Sequence, residues 1–158
     1  MKKLLLAGLF TFSLVGCATT PQQPQETAQE TIRYSTSPCF GACPIYSVEI
    51  TPEGAVHFDG KQYTKVTGTQ DLKVDPSVYK KLQQELQTYR PATGASVKTT
   101  GCAETATDQQ SAYFAWKQAD GTVTKLSHYT GCISPANAEL NKVIEKLPKL
   151  IGIEDLVR

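Results

Sequence analysis

Pro38-Cys39-Phe40-Gly41-Ala42-Cys43-Pro44, leading into Ile45-Tyr46-Ser47-Val48-Glu49-Ile50, is the stretch on which the reading of this chain turns. Two cysteines four residues apart sit between prolines, where turn chemistry gives way to alternation. From Ile45 the alternation is clean: Tyr46, Val48 and Ile50 face one way, Ser47, Glu49 and Thr51 the other, which is the pattern of a half-buried strand. Thr51-Pro52-Glu53-Gly54 then reads as a turn. Ala55 to Asp59 returns as a second strand with Val56 and Phe58 on its apolar face, so His57 points the opposite way. Asp59-Gly60 carries a hairpin signal, and Gln62 to Thr69 reads as a third strand.

Upstream of this stretch the chain changes character. Lys2-Lys3 is followed by an apolar run from Leu4 to Val15, of signal-peptide length and too short to span a bilayer. The run ends in Leu14-Val15-Gly16-Cys17, which resembles the bacterial lipoprotein box. That resemblance implies that residues 1–16 are a signal peptide, that Cys17 is lipidated, and that acyl chains hold the protein to a membrane. Ala18 after the cysteine, by the same resemblance, favours the outer membrane, lipid-anchored and facing the periplasm. Residues 17–31 are rich in Pro, Gln and Thr and lack apolar periodicity, so they read as a tether reaching roughly 20 Å on average. Residues 32–158 are then a single domain.

Downstream, Ile32 to Thr36 reads as a short edge strand. Asp75-Pro76 opens a helix with a good N-cap and Pro at its first position; Val78, Leu82, Leu86 and Tyr89 form its stripe and Pro91 stops it. Residues 92–110 read as a loop around Cys102. Ser111 to Lys117 is a fourth strand with Phe114 and Trp116 in the core, and Thr122 to Tyr129 a fifth. Ser134-Pro135 opens a second helix on the same cap logic, with Leu140, Val143, Ile144 and Leu147 buried and Pro148 as its stop. The fold class that follows is α+β, an antiparallel sheet of about five strands with two helices on one face. Tyr46 with Gly54-Ala55-Val56 and Tyr113 with Gly121-Thr122-Val123 share a spacing that would divide it into two β-β-α units. Ile50 aligns with Lys117 in that match, so duplication and chance similarity both stay open.

Net charge is +1, which gives no ground for a nucleic-acid partner. With Cys17 assigned to lipid, four cysteines remain, and four allow three pairings. Cys39 with Cys43 and Cys102 with Cys132 is the favoured set: the first pair is local, and the second brackets the hairpin of the fourth and fifth strands, whose outer ends meet. Cys39 to Pro44 also resembles the Cys-x-x-x-Cys-Pro copper motif of the Sco-type cytochrome oxidase assembly proteins, which implies copper or thiol-redox chemistry with a distant histidine, His57 or His128. That family opens a helix at the motif, whereas alternation begins here at once. A zinc site built from the four cysteines is disfavoured by their spacing and by an oxidising envelope.

The Cys-Phe-Gly-x-Cys-Pro-x-Tyr opening, with the later Tyr129-Thr130-Gly131-Cys132, is similar to an uncharacterised bacterial domain-of-unknown-function family often found in envelope lipoproteins. The resemblance covers most of the chain from about Arg33 and implies no activity. No nucleophile elbow, phosphate-binding glycine loop or His-Glu-x-x-His is present. Ser111, His128 and Asp108 make a triad only on paper. The expectation is therefore a non-enzymatic binding or assembly module of the envelope, with no cofactor and no metal, held to the membrane through Cys17 and serving an unknown envelope protein or ligand.

Overall fold

The computed structural model describes residues 30–158; the expected signal peptide, Cys17 and the expected tether up to residue 29 lie outside them, while Glu30 is buried and Thr31 already opens the first strand. The chain runs β1 (Thr31–Thr36), β2 (Ile45–Ile50), β3 (Ala55–Gln62), β4 (Gly68–Lys73), α1 (Pro76–Leu86), a 3-10 turn (Gln87–Tyr89), β5 (Ser96–Lys98), β6 (Glu104–Thr105), β7 (Ser111–Lys117), β8 (Val123–Tyr129), β9 (Cys132–Ile133), α2 (Pro135–Ile151) and α3 (Glu154–Val157). Seven strands form one sheet in the order β4-β3-β2-β1-β7-β8-β5, and β6 pairs with β9 apart from it. The class is α+β, with more strands than expected. The sheet is mixed, because β5 runs parallel to β8 while its other neighbours are antiparallel.

The alternation read at Ile45 holds. Tyr46, Val48 and Ile50 are buried, as are Val56 and Phe58 on β3 and Phe114 and Trp116 on β7. Tyr79, Leu82 and Leu86 of α1 and Leu140, Leu147 and Ile151 of α2 close the same core. Both helices are therefore laid on one face of the sheet, each burying one stripe as an amphipathic helix must. Their starts follow the cap chemistry: Asp75 Oδ1 accepts the N–H of Ser77 at 2.8 Å and Ser134 Oγ that of Asn137 at 3.3 Å. No described helix is long and apolar enough to cross a membrane.

Four local expectations need correction. β1 is the middle strand, bonded to β2 on one side and β7 on the other, because Ile32 and Tyr34 bury into the core from both neighbours. Asp59-Gly60 does not turn the chain; β3 continues to Gln62, and Gly60 lies so close beneath Val66 that an added Cβ would sit 2.1 Å from its carbonyl oxygen. The next strand accordingly starts at Gly68 rather than Gln62. Pro148 lies inside α2, which ends instead at Gly152 with φ 82°, the left-handed C-cap that glycine favours.

The paired-hairpin match fails at its own tyrosines. Tyr46 is buried, whereas Tyr113 is 43% exposed on the other face of the sheet. In β7 the inward residues are Ala112, Phe114 and Trp116, one position out of phase with the match.

Candidate functional site at the cystine end

β1 climbs from Thr31 to Thr36, so the loop that follows it marks one end of the sheet. β3 ends there at Gln62, opposite Ile45, and β7 starts there at Ser111, opposite Tyr129. The structure pairs Cys39 with Cys43 in this loop, with 5.9 Å between their Cα atoms. It pairs Cys102 with Cys132, 4.9 Å apart, just beyond the ends of β7 and β8. Both cystines therefore sit at the same end, and the chain enters β1 from the opposite one.

The first loop is fixed at its base from several sides. Ser37 donates its N–H to the Ser111 carbonyl at 2.9 Å, and its Oγ accepts the Ser111 N–H at 2.8 Å. Thr36 Oγ1 donates to the Pro44 carbonyl at 2.9 Å and accepts the Tyr46 N–H at 3.2 Å. Gln110 Nε2 donates to the same Pro44 carbonyl at 2.7 Å. At the tip, the Phe40 N–H reaches the Asp108 carbonyl at 3.2 Å, and Asp108 holds φ 64° to present it. Gly41, at φ 142°, takes the chain back toward Cys43. The result is a closed, pinned loop whose largest side chain, Phe40, is 87% exposed.

Beneath it lies a cleft of about 350 Å³ between the loop, α2 and the carboxyl end of the described chain. Tyr34 and Tyr46 meet edge to face in its floor, ring centroids 5.8 Å apart. Burial raises the Tyr46 hydroxyl to about 12, against the lowering influence of Tyr34 and Arg158. Burial also lifts Tyr34 well above its ordinary value, with Tyr46 adding to the rise. Both phenols are neutral at pH 7, as ordinary tyrosines are, and burial makes them harder still to ionise. Glu145 and Arg158 line the same cleft, and no ion pair joins them.

The histidines stand elsewhere. His57 is on the outer face of β3, its Nδ1 at 2.6 Å from Asp71 Oδ1. His128 is fully buried. Asn141 gives its Nδ2 proton to the Thr130 carbonyl at 2.9 Å, so its Oδ1, 2.7 Å from His128 Nε2, accepts from the ring. Nδ1 then accepts from Thr99 Oγ1 at 2.9 Å. Desolvation holds His128 below its ordinary value despite the Asn141 bond, and a neutral ring suits this pattern. Ser111 and Asp108 make no hydrogen bond to His128. Among the described residues no group of three or more His, Cys, Asp or Glu is placed to hold a metal ion.

The sequence reading missed the burial of His128, although it shares the inward phase of Thr124 and Leu126 on β8. It also missed β5, which completes a second concavity of about 460 Å³ on the outer face. Arg33, Lys98 and Lys125 surround Tyr113 there, and strands β1, β5, β7 and β8 contain no Asp or Glu.

A search of curated proteins returned no match to the chain. The family described as a domain of unknown function, DUF6438, matches residues 30–151, from the residue before β1 to the last residue of α2. The match spans the sheet, both long helices and both cystines, and the chain belongs to this family.

Proposed function

We propose that this chain is a lipid-anchored binding or assembly module of the cell envelope, without enzyme activity, attached through Cys17 and facing the periplasm from the outer membrane. The observation that carries the reading is the cystine end: a bridged loop, pinned by backbone and side-chain hydrogen bonds, holds an aromatic side chain out of the fold. Binding modules gain by such rigidity, because the ordering cost is met before the partner arrives. The two cystines suit an oxidising compartment, in keeping with the Leu14-Val15-Gly16-Cys17 box.

The copper reading draws less support: both ring nitrogens of His128 are engaged by Thr99 and Asn141, and His57 stands on the outer face of β3 against Asp71. The test of anchoring is labelling with a radioactive fatty acid. The native chain is expected to take up label and fractionate with outer membranes, and Cys17→Ala to do neither. Label retained by Cys17→Ala would end the lipoprotein assignment.

A further inference from the structure

Five large apolar side chains among the described residues are exposed: Phe40, Tyr63, Val97, Tyr113 and Ile133. Three of them share the cystine end. Tyr63 follows the last residue of β3, Ile133 follows Cys132, and Phe40 lies on the bridged loop between β1 and β2. Phe40 is the most exposed of the five at 87% and adds almost nothing to the core. Its backbone is nonetheless held by the Cys39–Cys43 bridge and the bond to Asp108. An exposed aromatic on a rigid support has the form of an interface anchor: such side chains seat in pockets and carry a large share of binding energy.

Where the chain enters selects the kind of partner. The polypeptide joins the fold at Glu30–Thr31, and β1 separates that point from the loop by six residues, about 20 Å of strand. A lipid on Cys17 would thus be tied to the opposite end. The cleft beneath the bridged loop carries charges of both signs, Glu145 and Arg158, beside Cys43 and Pro44. A mixed polar rim around an apolar centre fits a protein interface, whereas a bilayer-seeking surface carries Lys and Arg in excess.

We propose that Phe40 is the anchor of a protein-docking surface at the cystine end, seating in an apolar pocket of an envelope protein that lies beyond the end of the domain remote from its tether. The proposal rests on the binding-module reading above and adds the anchor and the class of partner to it.

The test uses the full chain in its own cells with a benzophenone amino acid at position 40 and, separately, at position 113 on the outer face. A discrete protein adduct is expected at position 40. Excess native chain should suppress it and excess Phe40→Ala chain should not. With the adducted protein purified, Phe40→Ala should bind it at least about tenfold more weakly, and Phe40→Trp should retain affinity. Adducts at position 113 alone would overturn the Phe40 proposal and leave the binding reading standing. Lipid adducts alone at position 40 would overturn it in favour of a bilayer contact. Equal competition by Phe40→Ala would make the side chain a bystander and overturn it. Absence of adducts at both positions would end the proposal and the binding-module reading together.

Discussion

His128 gives its Nε2 proton to Oδ1 of Asn141 across 2.7 Å, which ties β8 to α2 from within the core. The ring is neutral in this arrangement, and burial keeps it so to lower pH than in the unfolded chain. The sign of the pH dependence follows. Below the ordinary histidine value of about 6.5 the unfolded chain takes up a proton that the folded chain refuses, so stability is lost as pH falls. Above that value the contribution is complete and flat. Unfolding midpoints of the native chain should fall from about pH 6.5 downward, and His128→Gln should be less stable at neutral pH and lose this part of the slope. An unchanged slope in the variant would remove His128 as the cause.

The two bridges should differ in weight. Cys39–Cys43 closes a loop with a sequence separation of 4 and Cys102–Cys132 one of 30, for which chain-entropy arithmetic gives about 2 and about 3.6 kcal/mol. Cys132 Sγ also accepts from the buried Asn137 Nδ2 at 3.0 Å, and that contact is disturbed when the bridge is lost. Cys39→Ser with Cys43→Ser should lower the melting temperature and leave a folded protein. Cys102→Ser with Cys132→Ser should lower it further, as seen by calorimetry under identical conditions.

Arg90 holds the buried Glu30 carboxylate at 2.6 Å and lies 5.8 Å from the centre of the Trp116 ring. The Tyr79 hydroxyl donates to the Glu30 carbonyl beside it. Removing the guanidinium leaves a buried carboxylate without its partner. Arg90→Leu should cost about 3 kcal/mol in urea unfolding. Arg90→Leu combined with Glu30→Gln should recover part of that loss.

Gly54 turns β2 into β3 at φ 82°, and a Cβ there would stand 2.2 Å from the Val74 carbonyl oxygen. Its own carbonyl accepts the Val74 N–H at 2.9 Å, so the turn cannot move away without losing that bond. Gly54→Ala should destabilise by more than about 2 kcal/mol, whereas Gly121→Ala, strained at φ 89° but with nothing within 4 Å of the added carbon, should cost less. Equal losses would mean that conformation alone decides at both turns.

What could be read in advance was what depends on neighbours in sequence. Asp75 and Ser134 announce their helices because capping is local, and Val48, Ile50, Val56 and Phe58 alternate because one face of their strands is wet. The place of β1 was hidden, since five or six residues between a polar segment and a loop look alike at an edge and in the middle. Gly60 misled because a glycine required by close packing looks like one required by a turn. β5 has three exposed residues and no periodicity to reveal it. Of the site, the cysteines and their favoured pairing were legible. The exposure of Phe40 was not, because an apolar residue within a motif gives no sign of the side to which the loop will send it.

The most direct measurement is the thermal midpoint of the full chain carrying Phe40→Ala. If Phe40 stands outside the fold and is kept for a partner, the midpoint should stay within about 1 °C of the native value, as for other surface changes. A fall of about 4 °C or more, equivalent to roughly 1 kcal/mol in a domain of this size, would place the ring in the packing and contradict its role as a displayed anchor.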